Sequence, residues 1–138
     1  EFLKGVDSSI RDRVSVLPKI PFNKLPEYLS AADIIAIPQR LTSDSIGQIP
    51  ARLFDAMAMG KPIIATRISD IPEVLGGYGY LVDPNDPSQL AGAIQYIMKH
   101  PDEAQLKGFA ARERCKQMYD IHNLESGLCK LVEQVKEK

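Results

Sequence analysis

Residues 49–66, IPARLFDAMAMGKPIIAT, leave few folds open to this chain. They read as a short helix, an abrupt stop and a buried strand. Pro50 suits a first helical turn, where its missing N–H is no loss. Gly60 suits the left-handed position that ends a helix. Pro62 then opens the apolar run Ile63-Ile64-Ala65, of the kind found inside a parallel sheet. Leu53, Phe54, Ala56, Met57, Ala58 and Met59 make the helix apolar on almost every side, as buried helices are. Arg52 and Asp55 break that pattern and, three apart, share one side. A carboxylate on a buried helix needs a partner, because desolvating it alone is costly. For Asp55 that partner is a protein group, with Arg52 the nearest choice, or a ligand.

The rest of the chain repeats the alternation. Residues 1–13 are polar and mixed, the remnant of a helix. Val14–Leu17 reads as a strand stopped by Pro18 and Pro21. Phe22–Ala32 reads as a helix, with Asn23 as N-cap, Pro26 in the first turn, and Leu25, Tyr28 and Leu29 on one face. Ile34–Ile37 is a second strand, ended by Pro38, and Gln39–Ile49 is a polar loop. After the segment already described come a helical turn at Ile71–Leu75, capped by Asp70 or Ser69, and a glycine-rich turn. A strand follows at Tyr80–Val82. Asp86 caps a helix that starts at Pro87 and carries Leu90, Ala93, Ile94, Ile97 and Met98 at helical spacing. Two more helices run from Pro101 to about Met118 and from about Asn123 to Glu137. The last has one stripe: Leu124, Leu128, Leu131, Val132 and Val135. Short apolar strands between helices predict an α/β fold, a parallel sheet with helices on both faces. Such sheets bind ligands beyond the carboxyl ends of their strands. The 38–49 loop lies on that edge and leads into a helix N-terminus, where free N–H groups favour an anion.

Composition excludes other classes. The 138 residues make one domain with 44% apolar and 25% charged residues, as in an ordinary globular protein. Net charge is -1 with both signs interspersed, so no basic patch for nucleic acid is present. No apolar run nears the roughly 18 residues of a membrane span, and no signal-peptide pattern is seen. Cys115 and Cys129 lack metal-ligand spacing. They read as reduced structural thiols in a cytoplasmic protein. His100 and His122 fall at helix ends, as surface or capping residues.

Four ordered pieces carry a family likeness. Ala31-Ala32-Asp33-Ile34 leads to Ile37-Pro38. Pro50-x-Arg52-Leu53-Phe54-Asp55-x-Met57-Ala58-x-Gly60-Lys61-Pro62-Ile63-Ile64-Ala65-Thr66 follows. Ile71-Pro72-Glu73 and then Gly79-Tyr80-Leu81-Val82 with Asp86 complete the set. Together they resemble the C-terminal, nucleotide-sugar-binding half of a GT-B glycosyltransferase, of the retaining family called group 1 or GT4. The likeness covers residues 12–100 well and the remainder loosely.

The resemblance implies a Rossmann-like sheet and sugar transfer from a nucleotide diphosphate sugar with retained configuration. It also implies no cofactor and no metal, in keeping with the lack of an Asp-x-Asp pair. By likeness, Asp55 holds the donor ribose as the second acid of a Glu-x7-Glu motif. Gly47 stands where the first Glu belongs, and Asp44 is either its substitute or a solvated loop acid. Gly47, Gln48 and Ile49 are the implied phosphate and sugar contacts through backbone N–H groups, with Gly47 alternatively an ordinary turn glycine. Arg52 reaches the diphosphate or pairs with Asp55. Lys19, between Pro18 and Ile20, belongs to the loop against the base or is a surface lysine. Lys61 reads as a surface residue, Glu73 as structural and Ser69-Asp70 as without a role. No residue is assigned to catalysis.

The likeness also implies that residues 1–138 are a single, N-terminally truncated donor-binding domain. Two preceding strands, with an Arg and a Lys for the diphosphate, are then missing. So is the N-terminal domain that would hold a glycan or lipid acceptor, at the inner face of a membrane in polysaccharide biosynthesis. The vacancy beside Ile34–Ile37 leaves an unpaired edge. Three remedies follow: Val14–Leu17 shifts to pair directly, two chains exchange elements or dimerise, or another polypeptide supplies strands. The isolated chain is expected to have little or no activity. The alternative function is a non-catalytic nucleotide-sugar or phosphate-binding module of the same fold. A non-hydrolysing sugar epimerase would need carboxylates and histidines that cannot be placed here.

Overall fold

Branched apolar residues form the sheet. In the computed structural model, which describes residues 5–136, Ile35–Ile37 (β1), Ile63–Thr66 (β2) and Tyr80–Val82 (β3) lie in the order β1-β2-β3. Both pairings are parallel, with Ala36 opposite Ile64 and Ala65 opposite Leu81. The helices are Leu25–Ser30 (α1), Ala51–Ala58 (α2), Ile71–Leu75 (α3), Pro87–Lys99 (α4), Pro101–Tyr119 (α5) and Ile121–Lys136 (α6). The sheet is open and flanked by helices, the α/β architecture that the sequence predicts.

The central strand β2 is buried along its whole length, and its side chains alternate between two cores. Ile63 and Ala65 join Leu53, Met57, Ile71 and Leu75 on one face. Ile64 joins Val82, Ile97 and Ala104 on the other. Helix α5 serves both, with Ala104 in one core and Ala111 in the other. Local chemistry sets the element ends as expected. Gly60 (φ 65°) follows α2 and Gly76 (φ 57°) caps α3, both left-handed. The Asp86 carboxylate accepts from the Gln89 N–H at 2.9 Å and caps α4.

Several expectations fail. Val14–Leu17 forms no strand. It neither pairs nor shifts against β1, and Val16 and Leu17 stay exposed. A strand needs a neighbour for its N–H and C=O groups, and this segment pairs with none among the described residues. Asn23 caps nothing: Phe22–Lys24 is a 3-10 turn, and α1 starts after Lys24 without a side-chain cap. Pro26 does sit in the first turn of α1. Asp70 holds the N-cap position of α3, yet its side chain makes no capping bond, and Ser69 is left-handed (φ 49°). Of the first thirteen residues, Arg11–Arg13 is one 3-10 turn, and residues 1–4 lie outside the described part. The α6 stripe is helical but uncovered. Leu124, Leu128, Val132 and Val135 are exposed, and the side chain of Leu131 lies outside the described set. Among the described residues no helix is long and apolar enough to cross a membrane.

Candidate functional site

The site is built where β1 stops. Pro38 ends the strand, and the next N–H, that of Gln39, donates to the Thr66 hydroxyl at 3.0 Å. Thr66 is buried at the carboxyl end of β2, so this bond ties the loop to the ligand edge of the sheet. The loop holds itself together through Ser45. Its hydroxyl accepts from the Thr42 N–H at 2.9 Å and donates to the Arg40 carbonyl at 2.7 Å. Gly47 adopts φ 81°. Pro50 then precedes α2, and no side chain caps that helix. The first N–H groups of α2, those of Ala51 and Arg52, are therefore free of helical partners.

Two adjoining cavities open here. The smaller, about 520 Å³, is walled by Ala36, Ile37, Pro38, Gln39, Pro50, Ala51 and Arg52. The larger, about 1070 Å³, is lined by residues 17–22, by side chains of α1 and β1, and by Arg52 and Asp55 of α2. Its lining is largely apolar, and its charged groups, Lys19, Arg52 and Asp55, are the part suited to a ligand. Ala36, Ile37 and Arg52 line both cavities.

Lys19 thus lines the same cavity as Arg52 and Asp55, from a distant part of the sequence. Asp55 is half-buried, yet its carboxylate has neither a hydrogen bond nor an ion pair among the described residues. The Asp55–Arg52 pair is not formed. A carboxylate in that position is an acceptor awaiting hydroxyl or N–H donors. It also acts on its neighbour. Burial pushes the Cys115 thiol above its ordinary value, and the negative charges of Asp120 and Asp55 push it further.

Gly47, Gln48 and Ile49 line neither cavity. The Gln48 N–H is turned to the Ser45 carbonyl at 3.4 Å, and Ile49 packs against the core. Asp44 is exposed, lines neither cavity and accepts only from the Ser43 hydroxyl at 3.3 Å. Lys61 reaches the Ser30 carbonyl at 2.7 Å, and the Glu73 carbonyl accepts from Arg114 at 2.9 Å; both serve packing. His100 joins α4 to α5 and stacks on Tyr96, with ring centroids 4.4 Å apart.

One residue that sequence reasoning passed over is Gln39. Its side-chain oxygen Oε1 is buried and has no hydrogen-bond partner. The only sequence signal was position, directly after the proline that ends a strand at the ligand edge. Among the described residues no group of three or more His, Cys, Asp or Glu could hold a metal ion.

Comparison with known proteins agrees with this fold. The family profile described as "Glycosyl transferases group 1" matches residues 1–100. The chain is 26% identical over 132 residues to the amylovoran biosynthesis glycosyltransferase AmsK of Erwinia amylovora, covering 94% of this chain and 32% of AmsK. The chain spans between 20% and 32% of the length of the curated relatives it matches. Among solved structures, sucrose-phosphate synthase of Thermosynechococcus elongatus superposes with a TM-score of 0.80 at 28% identity. That match covers 91% of this chain and 31% of the synthase. Anabaena HepE, solved in complex with UDP, shares the fold with a TM-score of 0.72 at 19% identity, over 79% of this chain and 29% of HepE.

Proposed function

The chain belongs to the group 1 glycosyltransferases, and we propose that it is the donor-binding part of a retaining enzyme of that family. The donor is a nucleotide diphosphate sugar, and the acceptor, a glycan or lipid, is held by polypeptide beyond this chain. The observation that carries this is Asp55: a half-buried carboxylate without a partner among the described residues, lining a cavity beside an uncapped helix N-terminus.

Each part of the donor has a chemical counterpart. Asp55 accepts from the two ribose hydroxyls, as acidic residues do in dinucleotide sites. The guanidinium of Arg52 and the free N–H groups of Ala51 and Arg52 take the diphosphate. Lys19, which lines the same cavity, lies toward the base. Stabilising negative charge on the departing diphosphate is then the main catalytic work of this half. No step is routed through a metal ion or cofactor. The setting is cytoplasmic, and the pathway one of polysaccharide assembly.

The second reading, a donor-binding module without catalysis, is favoured by Gly47, where an acid would be expected. No atom stands within 4 Å of a Cβ built there. Titrating the protein that carries this chain with UDP, GDP and their sugars, then assaying transfer, separates the two. Binding with transfer supports the enzyme, binding alone the module. Absence of binding by every nucleotide would reject both.

A further inference from the structure

We propose that the side-chain amide of Gln39 reads the sugar of the donor in the smaller cavity, which shares Arg52 with the cavity that Asp55 lines. The proposal rests on the donor site described above and assigns a part of it that no motif residue supplies. Buried polar atoms are normally satisfied, so an unpaired one needs an explanation. Gln39 Oε1 is such an atom, and a turn of the side chain brings it to the smaller cavity, which the residue lines. An amide oxygen only accepts. A phosphate at neutral pH also only accepts, so the group that completes Gln39 is a donor, and on a sugar that donor is a hydroxyl.

The surroundings suit a hexose. The cavity, about 520 Å³, is of the size that holds small ligands. Pro38, Pro50 and Ala51 give it apolar walls for the C–H face of a ring. The Gln39 backbone is fixed in advance by the Thr66 hydroxyl at 3.0 Å and the Ile37 carbonyl at 3.1 Å. Its side chain is thereby held by an anchored loop residue, as preorganised recognition requires. Order completes the match. Asp55 lines the larger cavity, Gln39 the smaller, and Arg52 both. Pentose, diphosphate and sugar follow one another in the same sequence in the ligand.

The test uses the protein that carries this chain and calorimetric titration with two pairs, UDP with UDP-glucose and GDP with GDP-mannose. The readout is the ratio of the sugar nucleotide Kd to the nucleoside diphosphate Kd. Gln39→Met keeps the length and removes the acceptor. It should leave the diphosphate Kd within about twofold and raise the ratio about tenfold, the loss of one hydrogen bond to a desolvated group. Gln39→Asn keeps the amide and should raise the ratio less. Should Gln39→Met lower the melting temperature by several degrees, the Gln39→Asn ratio decides, and an unchanged ratio there overturns the proposal. An unchanged ratio with Gln39→Met, or equal weakening of both ligands, overturns the role of Gln39 alone. Failure of the unsubstituted protein to bind any of the four overturns the donor site itself.

Discussion

A Cβ on Gly108 would lie 2.9 Å from the carbonyl carbons of both Gly60 and Lys61. Helix α5 therefore rests directly on the turn where α2 ends and β2 begins, and that turn sets the position of Arg52 and Asp55. The neighbours are backbone and cannot swing aside. Gly108→Ala should cost about 2–3 kcal/mol, as overpacking of a tight core does. Tm should fall by roughly 10 °C. Gly92, inside α4, has nothing within 4 Å of a built Cβ. Gly92→Ala should instead add about 0.5–1 kcal/mol through helix propensity. Thermal melts of the two variants check the pair. Equal Tm values would remove the contact from the account.

What was legible in the sequence was local. Pro50, Gly60 and Pro62 announce α2 and β2 because each acts on its own φ or its own N–H. Asp86 announces α4 because a cap reaches only three residues ahead. Val14–Leu17 was misread because a strand is a property of two segments, and composition supplies only one. Gln39 was invisible for a related reason: burial of its oxygen is set by the packed fold and not by the residues next to it in sequence. The α6 stripe is correctly helical, but its exposed face depends on a neighbour that periodicity does not name. Arg52 and Asp55 were found as exceptions to an apolar pattern. That they fail to pair is a matter of side-chain geometry.

Because the Asp55 carboxylate has no partner among the described residues, its loss should cost function and not stability. Asp55→Asn should leave Tm within the range of a surface substitution, about 0.5 kcal/mol. It should weaken nucleoside diphosphate binding by roughly 10- to 100-fold, the worth of hydrogen bonds to a charged group. Asp55→Ala should raise the donor KM by a similar factor wherever transfer is measured. A structural ion pair would give the reverse pattern, a lowered Tm with the Kd unchanged. Calorimetry and melting on the same preparation tell these apart.

Cys115 gives an independent view of that carboxylate. Burial first, then Asp120 and Asp55, raise its thiol above the ordinary value of 9.0. The protonated form is the neutral one, so folding favours it. The associated stability is fully present below pH 9.0 and is lost as pH rises through the folded value. In a Cys129→Ser background, alkylation by iodoacetamide at pH 9 should be slower than for an unfolded control, since the thiolate reacts. Asp55→Asn removes one of the charges, so the thiol should titrate lower and alkylate faster. A rate independent of Asp55 would mean that the carboxylate points away from the thiol.

The free side of β1 yields the last prediction. The Ile35 N–H donates to the Pro62 carbonyl at 2.9 Å. By the alternation of a parallel strand, the N–H and C=O of Ala36 face away from β2. Ala36 is exposed, and beside it lie Leu17 (54% exposed) and Phe22 (83% exposed). An unpaired edge flanked by apolar side chains is a template for another strand. The chain by itself should therefore associate with concentration, and added polypeptide that supplies a strand for this edge should suppress the association. Ala36→Pro removes the outward N–H, a change that edge strands tolerate. It should weaken association severalfold in sedimentation velocity while Tm stays close to that of the parent. Leu128→Glu, placed on the exposed stripe of α6, separates the other apolar surface. If Ala36→Pro sediments like the parent and Leu128→Glu becomes monomeric, the helix stripe and not the sheet edge holds the copies together.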